Sequence, residues 1–349
     1  MRVLSLGLAL VAGPAVASTI VYDSFDTPGY SLADYSAKWA NPFGLGEMAV
    51  NDTRDFSTGK FSIKAPVFQT GYDYSVYDHL KYIGVSTQTF AVPTSGKLTF
   101  SSTIDATAFN TQPVGRLVNG TYTSSGNPFS ATVREGQQAA AVMNMIDFST
   151  GQLFDWFISG STAFTLIERL PSSVTNPALS SSDPGYVGID KMYTQIIKEV
   201  PIGAGPHDVS ITYSDSGSVS YLLDGALVSQ VDQVGVPLDK QGVVDWSGVY
   251  PSYGAGEPLA GKVHNLAIGH GLFTLLDAFP FQHPSRADLA VSIPVSERLF
   301  GQGMNATFDN FTVTAVPEPG TWAMLLAGLS LVGAAARRKP ARGAAGPQK

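Results

Sequence analysis

Between His207 and Val231 the chain reads HDVSITYSDSGSVSYLLDGALVSQV, three alternating apolar and polar runs separated by two polar turns. Val209, Ile211 and Tyr213 fall on one side of the first run, and Val219, Tyr221 and Leu223 on one side of the second. A period of two belongs to strands, because successive side chains leave a pleated backbone on opposite faces. Ser214-Asp215-Ser216-Gly217 and Asp224-Gly225 have the chemistry of tight turns. Similar runs recur at 19–25, 60–68, 97–104, 139–148, 153–158, 163–169, 192–200, 264–268 and 307–313. No long stretch carries the 3.6-residue period of an amphipathic helix. Many short strands without intervening helices predict an all-β sandwich or barrel. The Ser-, Pro- and Asn-rich stretch 171–188 reads as a long surface loop within one domain.

Of the 349 residues, 44% are hydrophobic, enough for a substantial core. Only 14% are charged and none is cysteine, which excludes disulfides, thiolate nucleophiles and thiolate metal sites. Residues 18–316 hold 15 basic and 27 acidic residues, a net of −12. So acidic a body argues against nucleic acid as a partner.

The two ends read as addresses. MRVLSLGLALVAGPAVAS has one Arg, an apolar stretch, and then Ala15-Val16-Ala17. That is the order of a signal peptide (residues 1–17) cut after Ala17 by signal peptidase. Near the other end, 322–336 is an apolar run without charge, followed by Arg337, Arg338, Lys339 and Arg342. As a helix it reaches about 22 Å, against a hydrocarbon core about 30 Å thick. It is a short membrane span whose basic flank stays on the cytoplasmic side.

Pro317-Glu318-Pro319, Trp322, the short apolar run and the Arg cluster together resemble the PEP-CTERM sorting signal, here residues 316–342. The resemblance implies a transient anchor in the inner membrane of a Gram-negative cell. It also implies cutting near Pro-Glu-Pro by an exosortase and delivery to the cell surface or an exopolysaccharide matrix. Pro317, Glu318, Pro319, Arg337 and Arg338 are then the sorting residues.

The hairpin ending in Asp224-Gly225, the opening VYDSF at 21–25 and the closing FDNFTV at 308–313 resemble concanavalin A-like jelly rolls of the laminin-G and glucanase type. The resemblance implies a jelly-roll β-sandwich over residues 18–315, with the opening and closing strands paired. The stretch through Ile146-Asp147 and Leu166-Ile167-Glu168-Arg169-Leu170 also resembles an uncharacterised bacterial jelly-roll family.

Glycoside hydrolysis needs two carboxylates about 5–9.5 Å apart. Glucanases of this resemblance use Glu-x-Asp-x-x-Glu, and none of the seven Glu here begins Glu-x-Asp. The nearest substitute is Asp147 facing Asp155 across the hairpin at Ser149-Thr150-Gly151, with Trp156 beside them and Glu168 on the next strand. The plainer reading of that trio is hairpin-end carboxylates on a wet face. The five His are dispersed, so no metal site is assigned. Calcium is the one ion the oxygen-rich stretches 23–26, 51–55 and 73–78 suit, although none matches a loop signature and solvated turns are the plainer reading. Tyr72, Tyr74, Tyr77 and Trp246 sit in polar-aromatic loops of the kind that stack on sugar rings.

The expectation is an exported, exosortase-processed protein that binds or organises exopolysaccharide without catalysis. A glycosidase or lyase on the same fold is the alternative, and a purely structural surface protein a further one. Fold alone does not choose among them.

Overall fold

The structure is a computed structural model that describes residues 17–42, 53–64, 80–111, 113–122, 125–133, 135–243, 247–250, 254–273, 291–292, 294–297, 302–317 and 329. Ala15, Tyr72, Tyr74, Tyr77, Trp246, Glu318, Pro319, Arg337 and Arg338 lie outside the described residues, as does 322–336 apart from Leu329. Among the described residues no helix is long and apolar enough to cross a membrane.

Two large antiparallel sheets carry the fold. The first runs in the order Ala226–Val231, Ser218–Leu223, His207–Ser214, Gly96–Phe109, Gly303–Pro317, Phe61–Lys64 and Thr53–Asp55, with Ser18–Asp23 also paired to Gly303–Pro317. The second runs Ser247–Tyr250, Tyr193–Pro201, Thr162–Arg169, Gln152–Ile158, Ala140–Asp147, Asn265–Phe273, Leu80–Ser86 and Trp39–Ala40, with Phe90–Ala91 against Asn265–Phe273. Val291–Ser292, Leu117–Tyr122 and Pro128–Thr132 make a small third sheet. The chain crosses repeatedly between the two large sheets, and the result is a jelly-roll sandwich.

Each run with strand periodicity contains a strand among the described residues. The opening and closing strands pair as Ser18↔Ala315 through Val21↔Thr312. Ser214 opposes Ser218 and Leu223 opposes Ala226. Gly217, Asp224 and Gly225 take the positive φ those turns require. Leu80–Ser86 escaped the sequence reading because all seven residues are buried, and a strand covered on both faces does not alternate. The helix Leu32–Lys38 was missed as well. It is a short element started by a Ser31–Asp34 capping box, in which each side chain meets the other's backbone N–H.

The core lies between the sheets. Phe61, Phe100, Phe308 and Phe311 pack there through successive ring contacts, as do Phe154 with Tyr213 and Trp156 with Tyr221. Phe308 and Phe311 are three residues apart and would face opposite sides of a regular strand. A bulge between Asp309 and Thr312, with Asn310 at φ 54°, turns both inward. Cross-sheet hydrogen bonds add to the packing: Trp156 Nε1–H donates to the Ser210 carbonyl (3.0 Å), and the Tyr221 hydroxyl to the Leu166 carbonyl (2.8 Å).

Asp23 shows why the stretch 23–26 is no calcium loop. Its carboxylate accepts from the Tyr30 hydroxyl (2.6 Å), Lys38 Nζ (2.9 Å) and Trp39 Nε1 (2.9 Å). An oxygen pair committed to three donors is a structural joint between the first strand, the helix and the second sheet. Asp55 likewise caps its own turn by accepting from the Ser57 amide and hydroxyl, each at 2.9 Å. The stretch 73–78 lies outside the described residues.

Candidate functional site

The strands around Gln152–Ile158 carry one set of side chains into the inter-sheet core and the other onto the sheet's outer face. Met143, Met145, Phe154, Trp156 and Ile167 point inward. Two apolar clusters occupy the outer face: Val142, Phe157, Phe164, Leu166 and Ile196 in one, and Ile146, Leu153, Ala267, Ile83 and Val85 in the other. Polar residues lie between them.

Register fixes which ones. Gly269 opposes Asn144, Asn144 opposes Asp155, and Asp155 opposes Leu166. One pair further along, Leu153 opposes Glu168 and Glu168 opposes Thr194. Asp155 and Glu168 are therefore diagonal neighbours on one face, a spacing of roughly 7–8 Å between Cα atoms. Asp155 is only 3% exposed, and Glu168 is partly buried. Glu168 Oε2 accepts from the Thr194 hydroxyl at 2.9 Å. Asn144 hydrogen-bonds to Asp155. Among the described residues, Asp155 Oδ2 and Asn144 Oδ1 have no hydrogen-bond partner.

Burial dominates the electrostatics. It pushes the Asp155 carboxyl well above the usual range, and the charge of Glu168 adds to the effect. Glu168 is pushed up to about 7, again by burial, with the Thr194 hydrogen bond opposing. Two carboxyls this close, both reluctant to ionise, titrate as a pair. Near neutrality they hold at least one proton, a state suited to acid–base chemistry.

The sequence reading of this hairpin needs three corrections. Asp147 does not face Asp155; it opposes Gln152 and caps the turn by accepting from the Ser149 amide (2.8 Å) and hydroxyl (2.6 Å). Trp156 lies on the core side, away from the carboxyl pair. Nor is the face wet at Asp155, and Asp147 is only 2% exposed. Asn144, Thr194 and Gly269 were not singled out. The one available signal was a lone Asn within the apolar run AAAVMNMI.

Gly269 leaves room for Asn144. A Cβ there would stand 2.1 Å from Asn144 Oδ1 and 3.2 Å from the Gly84 carbonyl oxygen. Gly269→Ala is expected to lower stability by about 1–3 kcal/mol, read as a shift in the denaturant midpoint. An unchanged midpoint would show that Asn144 swings aside freely.

His270 is buried against Trp39, Phe61, Phe308 and Phe311. Its Nε2 meets the Tyr35 hydroxyl at 2.9 Å, and burial pushes its pKa down to about 3. Among the described residues, no three His, Cys, Asp or Glu side chains come together as a metal set.

A second polar feature is accessible. The 171–188 loop is closed on itself: the Ser172 amide donates to the Val187 carbonyl (3.0 Å) and the Val187 amide to Ser172 Oγ (2.8 Å). Beside it lies a surface cleft of about 380 Å³ lined by Ser181, Asp183, Tyr186, Asp190 and Lys191. Lys191 Nζ donates to the Tyr186 carbonyl (3.2 Å) and pairs with Glu257 (2.9 Å).

Among solved structures, the chain is similar to β-agarase B from Zobellia galactanivorans, with 11% identity over 88% of this chain and 96% of that chain and a TM-score of 0.45. It is similar also to β-agarase A from the same organism, with 13% identity over 86% and 96% and a TM-score of 0.35. The apo Crh5 transglycosylase gives 11% identity over 88% and 87%, with a TM-score of 0.37. Likeness at this level speaks to neither activity nor ligand. No curated protein matches the chain. Residues 315–339 match the PEP-CTERM protein-sorting motif, which marks an exported protein with a C-terminal anchoring signal processed by exosortase. Residues 44–317 match a further family model across most of the chain, and the protein belongs to that family of unknown function, DUF6081.

Proposed function

We propose that the processed protein binds polysaccharide at the outer surface or in the extracellular matrix of a Gram-negative cell, without cutting it. The observation that carries this reading is the contrast in exposure between the two polar features. Within the carboxyl pair Asp155 is 3% exposed and Glu168 is partly buried, whereas the Tyr186 cleft is open. The cleft lines its surface with hydroxyls, carboxylates, an ammonium group and one aromatic ring, the groups that recognise sugar hydroxyls and ring faces. Tyr72, Tyr74, Tyr77 and Trp246 are proposed as further stacking residues, and calcium as an ion to be varied in the test.

The test incubates residues 18–316 with a polysaccharide panel, with and without Ca²⁺, and reads retention and new sugar ends in the same tubes. Retention without new ends is expected, and Tyr186→Ala is expected to weaken it about tenfold. A second reading, a glycosidase or lyase, is favoured by the paired Asp155 and Glu168 carboxyls. New reducing or unsaturated ends, lost in Glu168→Gln, would establish it in place of the first. Neither retention nor new ends would leave a structural surface protein.

A further inference from the structure

The end of the fold and the start of the sorting tripeptide are the same residue. Strand Gly303–Pro317 runs to Pro317, the first residue of Pro317-Glu318-Pro319. On one side Val316 opposes Lys97 and Pro317 opposes Gly96. On the other, Ala315 opposes Ser18 and Thr314 opposes Thr19, with the two Thr hydroxyls 2.9 Å apart. The Gly96 corner is itself fixed. Its carbonyl accepts from the Asp215 amide (3.0 Å), its amide donates to the Pro93 carbonyl (2.8 Å), and the Ser95 amide donates to Asp215 Oδ2 (2.9 Å). A Cβ on Gly96 would stand 2.6 Å from the Val316 carbonyl oxygen, so the strand end packs flush against it.

An enzyme that cuts a peptide takes it as an extended segment and pairs with its backbone. Here that backbone is already paired on both edges almost to the tripeptide, with no linker between body and signal. We propose that exosortase processing of this protein is limited by release of residues 314–317 from the sheet. The cut breaks one peptide C–N bond. The acyl carbon takes the oxygen of water or the nitrogen of an acceptor amine, and the amide nitrogen leaves with a proton. Before that step, the strand end must leave both Gly96–Lys97 and Ser18–Thr19. The fold thus holds its own anchor, and the clamp includes the segment that follows Ala17. Ile20 and Val21 of that clamping strand are 50% and 61% exposed, so a thin edge strand rather than buried core holds one side.

The full chain, expressed in a host that carries exosortase, is followed by pulse-chase from the longer to the processed form. Inserting Gly-Ser-Gly-Ser-Gly-Ser between Val316 and Pro317 is expected to speed cleavage about tenfold, the factor that about 1.4 kcal/mol of opening represents. Thr19→Cys with Thr314→Cys places a disulfide across the clamp in a chain without other cysteines. That variant is expected to be cut about tenfold more slowly and to recover when reductant is added. Linker and disulfide variants both cut within about twofold of the parent rate would overturn the proposal. If the disulfide variant does not fold, the linker variant decides alone. The readout is independent of polysaccharide, so the ligand proposal fails or stands separately.

Discussion

Asp23→Ala is expected to destabilise the sandwich by about 2–4 kcal/mol, the cost of leaving several donors of a buried joint without their acceptor. The carboxylate is almost wholly buried and serves Tyr30, Lys38 and Trp39 together. Its loss leaves the Trp39 N–H, in a residue 2% exposed, without its acceptor, and an unsatisfied buried donor alone costs about 1–3 kcal/mol. The joint also ties strand Ser18–Asp23, in the first sheet, to Trp39–Ala40, in the second. Lys38→Met is the control. Lys38 is 41% exposed, so its loss is expected to cost no more than about 1 kcal/mol. Chemical denaturation of both variants checks the contrast. A loss below about 1 kcal/mol for Asp23→Ala would mean that water takes over the three donors.

The second large effect is on pH dependence. A carboxyl whose native pKa is raised binds more protons when folded than when unfolded, between its two values. Its contribution is present at low pH and is lost as pH rises. For Glu168 that window runs from the ordinary 4.5 up to about 7, and Asp155 acts in the same direction. His270 has the opposite sign. Its pKa is lowered from 6.5 to about 3, so the unfolded chain takes up the proton first. Its contribution is full above 6.5 and is lost as pH falls. Each group tilts the stability curve by at most about 1.4 kcal/mol per pH unit within its window. Partial exposure of Glu168 reduces its share. Glu168→Gln is therefore expected to gain stability relative to the parent between about pH 5 and 8. Asp155→Asn with Glu168→Gln is expected to gain more, and His270→Phe to flatten the acid side. Denaturant midpoints at several pH values measure all three. A constant difference between parent and Glu168→Gln across that range would show that the pair is hydrated and ordinary.

Asp155 and Glu168 were visible in the sequence as chemistry-bearing residues on adjoining strands, but they were grouped with Asp147, which the fold sets apart. Setting Asp147 against Asp155 assumed a hairpin register different from the real one, in which Asp155 opposes Asn144. The difference moves Asp147 to the other face, because neighbouring positions on a strand point opposite ways. Turn residues identify a hairpin; the pairing of its arms depends on which side chains the rest of the fold buries. Asn144, Thr194 and Gly269 gain meaning only from strands distant in sequence.

The local pattern of the chain was enough to determine an all-β sandwich or barrel and its turns, and the resemblance to jelly rolls added the pairing of the first and last strands. The C-terminal sorting signal was equally legible. Those properties are written in alternation, turn chemistry and contiguous motifs, which act over a few residues. Only the tertiary structure decided that Asp155 is desolvated beside Glu168, that Asp23 is a joint rather than a calcium ligand, and that Pro317 ends inside the sheet. Burial and register arise from contacts between residues far apart in the chain, and no short stretch of sequence contains them.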